Sequence, residues 1–254
     1  LALRALKIGP GDKVMVPSRT FVATVQVVVQ VGAKPVFYDL DGYSDEKMEN
    51  MAAIMPVHIE GAVQEEMARL AKLCREKGIY LIEDAAQALG ASQGGKMAGS
   101  FGDVGCFSFY PAKILGAYGD AGALVTNNQG IYEWVKGARN HFKEDARDWG
   151  VNSRMDNLQA AILNVKFKYL PEILKIRQNI AEKYLNAIKR LKEESKIKLP
   201  ENILGRVWQD FIIQTREKEE RNKLFEFLKE KGIETIKNNY PFPVPKMVLA
   251  QKYE

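Results

Sequence analysis

The sequence of 254 residues predicts an α/β fold, with a mostly parallel mixed sheet between helices and a small α/β domain toward the C-terminus. Over the first two thirds of the chain, short apolar runs alternate with helical patterns, an order typical of a parallel sheet covered by helices. A long helical stretch then leads to a second strand–helix pattern. We therefore expect a large domain over residues 1–170, and a linking helix with the small domain over residues 171–254.

Six segments of the large domain predict strands, because each is a short apolar run between turn signals: residues 13–17, 35–39, 53–57, 79–84, 104–109 and 123–126. Residues 20–31 and 64–77 predict helices that end at Gly32 and Gly78. About a dozen residues, with room for a helix only over 45–50, connect the second strand to the third, which is the lower limit for a parallel crossover. Either this crossover is minimal or residues are missing near Asn50 and Met51, and we favour the second interpretation.

The last third of the chain begins with residues 155–191, which predict two long helices separated at Pro171. Alternation over residues 207–214 then predicts a strand with Trp208 and Phe211 in the core, followed by a helix over 217–231 and an extended segment over 233–235. A proline-rich loop covers residues 240–245. The first residues resemble the last turns of a helix, and the chain ends abruptly at Glu254 after the proline-rich loop, so we expect that both ends of a longer protein are missing.

The composition is that of an ordinary soluble protein, with 46% hydrophobic residues and a formal net charge of +5. The positive charges are interleaved with negative ones, and no nucleic-acid-binding or metal-binding motif is present, so we expect neither kind of partner. No apolar run approaches the roughly 18 residues of a membrane span. Cys74 and Cys106 lie in a helical and a strand pattern, which predicts reduced thiols in the cytoplasm.

An acidic residue at the end of a predicted strand is the first candidate for chemistry. Asp84 follows the apolar run 79–82 and begins the sequence Asp-Ala-Ala-Gln, which ends at Gln87. Ligands of open α/β sheets bind at the carboxyl ends of the strands, where a carboxylate can pair with a protonated ring nitrogen. The residue can equally be a cap or a turn acid.

A serine and a lysine at the end of the next strand are the second candidate. Ser108 precedes Lys113 by five residues, so its hydroxyl can hold a phosphate while the lysine reaches an aldehyde of the same cofactor. Such a lysine needs a lowered pKa to act as a nucleophile. A surface lysine in a loop remains the alternative. The glycine-rich run 116–122 that follows allows close approach of a phosphate or is a plain turn, and it lacks the Gly-Lys-Ser/Thr of a P-loop.

Taken in order, the chain resembles the DegT/DnrJ/EryC1/StrS sugar aminotransferases, which are fold-type I enzymes dependent on pyridoxal phosphate (PLP). The segments that carry the resemblance are residues 9–18, 21–24, 56–61, 83–87, 100–113 and 151–156. Each of these motifs alone is weak, whereas the ordered set is specific and covers nearly the whole chain. The resemblance implies a PLP-transferase-like large domain and a small C-terminal domain.

The resemblance also implies roles for individual residues. Lys113 is the Schiff-base lysine and the proton shuttle, and Asp84 keeps the pyridine nitrogen protonated. Four further side chains bind the cofactor through ring stacking, the ring hydroxyl, the phosphate and the phosphate of the neighbouring subunit's cofactor, respectively: Phe21, Gln87, Ser108 and Asn152. The last of these contacts implies a homodimer with shared active sites.

The implied reaction transfers an amino group from an amino acid, expected to be glutamate, to a nucleotide-linked keto-sugar in amino-sugar biosynthesis. His58, His141 and Tyr240 are the candidate substrate contacts, although a lone histidine is more often structural and Tyr240 can simply pack at the domain junction. One alternative is a sugar dehydratase on the same scaffold, which has histidine in place of Lys113. Another is a regulatory or binding protein with a degenerate site, against which the intact candidate residues argue.

The sequence departs from the family pattern at three places. The Gly/Ser/Thr phosphate cup that precedes Leu1 in the family is absent here. Glu60 replaces the commoner aromatic or apolar residue before Gly61, and Lys246 and Met247 stand where the family has a histidine. The last two departures concern the identity of the substrate and leave the cofactor unaffected.

Overall fold

The computed structural model describes residues 1–39, 43, 46–190, 197–201, 203–237 and 243–246. Within these residues the strands are β1 (Lys13–Pro17), β2 (Lys34–Tyr38), β3 (Ala53–Ile54), β4 (Tyr80–Asp84), β5 (Ser92–Gln93), β6 (Lys96–Met97), β7 (Val104–Ser108), β8 (Gly122–Val125), β9 (Ile197–Lys198) and β10 (Gln214–Thr215). The helices are α1 (Ala2–Ala5), α2 (Val22–Gln30), α3 (Met67–Lys77), α4 (Gln129–Ala138), α5 (Asn157–Phe167), α6 (Leu170–Arg190) and α7 (Lys218–Glu230).

A six-stranded sheet in the order β2-β1-β3-β4-β7-β8 forms the centre of the molecule. All neighbouring strands in it are parallel except β7 and β8, which are antiparallel. The predicted α/β fold with a mostly parallel mixed sheet is therefore confirmed, and the six predicted strands all occur. Two short antiparallel pairs, β5–β6 and β9–β10, lie outside this sheet.

Both faces of the central sheet are buried, as expected for parallel strands between helices. Side chains alternate between two cores along β1: Met15 packs in the core that includes α3, whereas Val14 and Val16 pack in the core that includes α1 and α2. Within the described residues, no helix combines the length and the apolarity that a bilayer span requires.

The predicted helices occur with shifted ends, except the short one predicted over residues 45–50. Helix α3 begins at Met67 rather than at residue 64, because Glu66 before it has a left-handed backbone conformation (φ 55°). Residues 155–191 contain two helices as expected, but the break lies at residues 168–169, and Pro171 is the second residue of α6. Proline is favoured in a first helical turn because the amide group it lacks would have no partner there. Residues 46–50 form turns rather than a helix, and residue 45 lies outside the described residues.

The strand predicted over residues 207–214 is wrong. A left-handed conformation at Trp208 (φ 56°) interrupts the extended chain, and Arg177 of α6 donates a 2.7 Å hydrogen bond to the Trp208 carbonyl that a strand would use. Only Gln214 and Thr215 form a strand, paired with β9. The predicted core position of Trp208 and Phe211 is confirmed, since their rings stack with centroids 5.4 Å apart beneath α6. Residues 233–235 form no strand.

Candidate active site

The carboxyl ends of β4 and β7 bring the predicted catalytic residues to one edge of the sheet. The two strands are parallel neighbours, and Asp84 lies opposite Cys106 in their register. Ser108 is two residues further along β7, at the same edge. Strand β1 ends at this edge as well, with Phe21 exposed over 60% of its surface just before α2. Parallel topology therefore gathers residues that are far apart in sequence.

The carboxylate of Asp84 is held by two donors. Thr24 Oγ1 donates to Oδ2 at 2.7 Å, and the backbone N–H of Ala86 donates to Oδ1 at 3.1 Å. Thr24 is buried and also hydrogen-bonds Thr20 at 2.9 Å, so its hydroxyl is itself positioned. The half-buried carboxylate consequently has a fixed orientation. The sequence did not predict the role of Thr24, although it lies within the 21–24 segment that carries the resemblance.

Lys113 lies in a compact loop between β7 and β8. The N–H of Ala117 donates to the carbonyl of Phe109 at 2.8 Å, which closes the loop. At Gly116, a β-carbon would lie 2.2 Å from the carbonyl oxygen of Pro111, so only glycine allows the backbone to pass so closely. The Lys113 N–H itself donates to Tyr110 at 2.8 Å. The lysine therefore projects from a rigid loop rather than from an open surface segment.

The surroundings of Lys113 make its amine more nucleophilic. Burial lowers the pKa of the Lys113 ammonium below its ordinary value, while the nearby carboxylates of Asp84 and Asp210 oppose this change. The pKa of Asp210 is raised above its ordinary value, mainly by burial and secondarily by the nearby carboxylate of Glu60. The structure thus places Lys113 and Asp84 within electrostatic range of each other, and it adds Asp210, which the sequence interpretation had assigned to a strand.

Gln209 clasps the Lys113 loop from the C-terminal part of the chain. Its Nε2 donates to the carbonyl of Ala112 at 3.1 Å and its Oε1 accepts from the N–H of Ile114 at 3.2 Å, one residue on either side of Lys113. The close approach of this segment to Gly61 (φ 85°) leaves no room for a β-carbon there. No local sequence pattern predicts these contacts, because they join residues about a hundred positions apart.

His58 has an internal role that does not support the predicted substrate contact. Its side chain is fully buried, its Nε2 is 2.8 Å from Glu83 Oε2, and its Nδ1 accepts from the N–H of Gln64 at 3.1 Å. Glu83 also accepts from the N–H groups of Gly99 and Gly102 at 2.8 and 2.7 Å. Both ring nitrogens are therefore occupied by protein groups, and the pair ties the chain before α3 to the loop before β7.

The other predicted site residues lie apart from one another in the chain. Ser108 Oγ accepts from the N–H of Tyr110 at 3.3 Å. His141 and Asn152 are exposed on a surface hairpin, in which Asn152 forms a bridge with Asn140 and accepts a 3.1 Å hydrogen bond from Arg154. Within the described residues, neither shows a hydrogen bond or an ion pair with Lys113. Tyr240 lies outside the described residues.

Gln87 lies close to the turn that contains Glu60. The N–H of Glu60 donates to Gln87 Oε1 at 2.6 Å, and Glu60 has a left-handed backbone conformation (φ 60°). Its carboxylate is ion-paired with Arg19 at 2.6 Å and with Arg206 at 2.9 Å. The residue that departs from the family pattern is therefore the centre of a charged cluster beside the predicted cofactor site.

Several known proteins that are similar to this chain are named as aminotransferases. The model of the DegT/DnrJ/EryC1/StrS aminotransferase family matches residues 1–253. A UDP-N-acetyl-3-dehydro-α-D-glucosamine 3-aminotransferase of Acidithiobacillus ferrooxidans is 41% identical over 230 residues, covering 84% of this chain and 60% of that protein. A pleiotropic regulatory protein of Geobacillus stearothermophilus is 38% identical over 261 residues, covering 96% of this chain and 68% of that protein.

Solved structures share the fold. The crystal structure of DesV from S. venezuelae, in complex with a ketimine intermediate, superposes with a TM-score of 0.88 at 34% identity. The match covers 99% of this chain and 69% of the DesV chain. This chain thus spans between about 60% and 70% of the length of these three proteins.

Proposed function

Because this chain belongs to the DegT/DnrJ/EryC1/StrS aminotransferase family of PLP-dependent enzymes, we propose that it transfers an amino group from an amino acid to a nucleotide-linked keto-sugar. One observation carries the proposal: Lys113, with a lowered pKa, lies within electrostatic range of an oriented carboxylate, Asp84, at the carboxyl edge of a parallel sheet. An amine and an acid in this relation are what a pyridoxal cofactor requires of its protein.

The side chains at this edge of the sheet are of the types that can hold the cofactor. PLP, when bound, supplies an aldehyde that condenses with amines and a protonated ring that withdraws electrons. Asp84 would hold the proton on the ring nitrogen, and Lys113 would bind the cofactor and move the proton of the amino-acid Cα. The exposed ring of Phe21 would stack on the cofactor, Gln87 would hydrogen-bond the ring hydroxyl, and Ser108 would bind the phosphate.

Relatives of this chain indicate the class of substrate. The 3-aminotransferase of A. ferrooxidans is named for a UDP-linked keto-sugar, and we extend that class of substrate to this chain. Glutamate is the proposed amino donor, and the cytoplasm is the proposed location. The net charge of +5 is compatible with a diphosphate ligand. His141 and Tyr240 remain the proposed substrate contacts.

A single-turnover experiment tests the substrate class. Protein loaded with pyridoxamine phosphate is mixed with a nucleotide-linked keto-sugar, and the visible absorption of the aldehyde form is followed. We expect rapid recovery of that absorption with the keto-sugar nucleotide and slow recovery with pyruvate or oxaloacetate. A fast response to simple keto acids, with none to keto-sugar nucleotides, would place this chain among ordinary amino-acid aminotransferases.

The active unit is proposed to be a homodimer with shared sites. Asn152 is exposed on its hairpin, as a residue that reaches into a neighbouring subunit must be, and the same hairpin carries the exposed side chain of Trp149. In a symmetric dimer, each site then combines Lys113 of one chain with Asn152 of the other.

Mixing two inactive variants tests this arrangement. Lys113→Ala and Asn152→Ala chains, unfolded and refolded together, form heterodimers in which one of the two sites is intact. We expect recovery of up to about a quarter of the wild-type activity, because half of randomly assorted dimers are mixed and each has one working site. The separately refolded variants are the control. A mixture no more active than these controls, or a fully active monomer, would contradict shared sites.

A second candidate, a regulatory protein without turnover, is suggested by the name of the G. stearothermophilus relative. Such a protein would not need Lys113 in a rigid loop with a lowered pKa. The two candidates differ in a simple observation, since the regulatory one predicts a purified protein that shows no change in visible absorption when an amino donor is added.

A further inference from the structure

Three ionic side chains form a cluster beside the candidate active site, and we name it the Arg19–Glu60–Arg206 triad. Arg19 Nη2 lies 2.6 Å from Glu60 Oε1, and Arg206 Nη2 lies 2.9 Å from Glu60 Oε2. The side chains of Glu60 and Arg206 are 12% and 5% exposed, whereas that of Arg19 is 39% exposed. One carboxylate therefore faces two guanidinium groups, of which Arg19 is the one that solvent reaches.

The triad has more positive charge than its own carboxylate neutralises. Arg206 Nε is buried and has no hydrogen-bond partner among the described residues. Asp210 lies in electrostatic range of Arg206, yet the described residues show no ion pair between them. Among the described residues Arg19 hydrogen-bonds Glu60, and a guanidinium has five N–H donors. Arg206 lies over the Trp208 ring at 4.8 Å and Asp210 offsets part of the positive charge, whereas the solvent-exposed Arg19 has N–H groups that can bind a further anion.

The triad also adjoins the groups that would surround the cofactor. The N–H of Glu60 is bonded to Gln87, the residue proposed to contact the ring hydroxyl. Arg19 lies two residues before Phe21 in the chain, and Thr24, in the same segment as Phe21, donates to Asp84. Asp210 is in electrostatic range of both Glu60 and Lys113. Through Glu60, Arg19 is therefore connected to the residue that would contact the ring hydroxyl.

On the basis of the proposed function, we propose that Arg19 binds a carboxylate of the substrate close to the reacting carbon. In the substrate-free protein, the side chain of Glu60 occupies the position of that carboxylate. The aldehyde carbon of the cofactor is attached to the ring beside its hydroxyl group. A carboxylate close to a carbon that reacts there would therefore lie near Gln87, which Glu60 connects to Arg19. Guanidinium and carboxylate groups match in charge and geometry, because two parallel hydrogen bonds join them.

Two substrates offer such a carboxylate: the amino acid donor, through its α-carboxylate, and a keto-sugar that has an acid group on its ring. Equilibrium binding without turnover separates these sources. Glutarate serves as the probe for the donor, UDP-glucuronate as the probe for an acidic sugar, and UDP-glucose as the neutral reference for the nucleotide. Binding of each is measured by calorimetry on the cofactor-loaded protein.

In Arg19→Gln, we expect glutarate or UDP-glucuronate to bind about 10- to 100-fold more weakly, the usual effect of losing a charged hydrogen-bonded pair. UDP-glucose should bind as it does to the wild type. Arg69→Gln is the matched control, because it removes an exposed arginine that is paired with Glu66 at 2.8 Å on α3. Unchanged binding of both carboxylate probes, or an equal loss for UDP-glucose, would overturn the proposal.

Glu60→Gln provides a second readout that a purely structural triad would not give. Removal of the competing carboxylate should tighten carboxylate binding, whereas a structural ion cluster predicts weaker or unchanged binding. Thermal unfolding checks that each variant is folded, and the Arg19→Gln result decides the proposal if Glu60→Gln does not fold. A wild-type protein whose cofactor absorption fails to respond to any amino donor would contradict the proposed function instead, while calorimetry still reports on Arg19.

Discussion

Replacement of Lys113 by alanine should abolish turnover, with a loss on the order of 10⁴-fold or more, because the substitution removes both the covalent anchor of the cofactor and the group that moves the proton. The structure gives a reason for this dependence. Lys113 is fixed by the closed loop and by the Gln209 clasp on both sides, and burial lowers the pKa of its ammonium group. A larger fraction of its amine is consequently neutral and nucleophilic near neutral pH.

The Lys113 variants are checked by a covalent readout as well as by activity. Borohydride treatment of the wild type should fix the cofactor to the peptide that contains Lys113, and Lys113→Ala should lose that adduct. Lys113→Arg keeps a positive charge toward Asp84 and Asp210, so it separates loss of the amine from loss of the charge. We expect it to be as inactive as the alanine variant. Lys72→Ala, on the exposed face of α3, is the control and should behave as wild type.

An adduct on any lysine other than Lys113 would overturn the assignment. Lys166 is the informative competitor, because its Nζ donates to the carbonyl of Gly116 and it therefore lies next to the same loop. If the reduced cofactor were found there, the Lys113 loop would have to be reinterpreted as a structural connection between β7 and β8.

Local patterns predicted the sheet well because each strand is a short apolar run that ends in a turn signal. Asp84 and Ser108 are found at the carboxyl edge for the same reason, since the position of a residue at a strand end follows from the strand itself. The strand predicted at residues 207–214 fails because its alternation is overridden by contacts from elsewhere in the chain. Arg177 donates hydrogen bonds to the carbonyl groups of Trp208 and Gln209 in that segment, and Trp208 adopts a left-handed conformation.

The parts of the site that the sequence did not reveal all depend on long-range pairing. Gln209 reaches the Lys113 loop, and Arg206 reaches Glu60, which precedes it by 146 positions. The departure at Glu60 was visible in the sequence, but its two arginine partners were not, because a buried carboxylate can be neutralised from any direction. His58 illustrates the opposite case. The sequence indicated a polar residue at a strand end that could contact substrate, but in the structure its side chain is buried and hydrogen-bonded to Glu83.

Asp84→Asn should lower the rate by about 10²-fold or more, which corresponds to roughly 3 kcal/mol of transition-state stabilisation. The reason is electrostatic: the carboxylate stabilises a proton on the ring nitrogen through a charge-assisted hydrogen bond, and a neutral amide does this far less well. The carboxylate is also held in one orientation by Thr24 and Ala86, so the wild-type protein does not have to reorganise in order to align it.

The fold should tolerate this change. The N–H of Ala86 can only donate, so the remaining oxygen of the asparagine would stay toward it, and the new NH₂ group would face the hydroxyl of Thr24, which is able to accept. We therefore expect a thermal unfolding temperature close to that of the wild type, together with slow turnover. Asp103→Asn, at the opposite end of β7, where the carboxylate accepts from the N–H of Leu81 at 2.8 Å, is the matched control and should leave the rate unchanged. Near-normal turnover by Asp84→Asn would mean that another group serves the ring nitrogen, and a comparable loss in Asp103→Asn would mean that the effect acts through the sheet rather than through the cofactor.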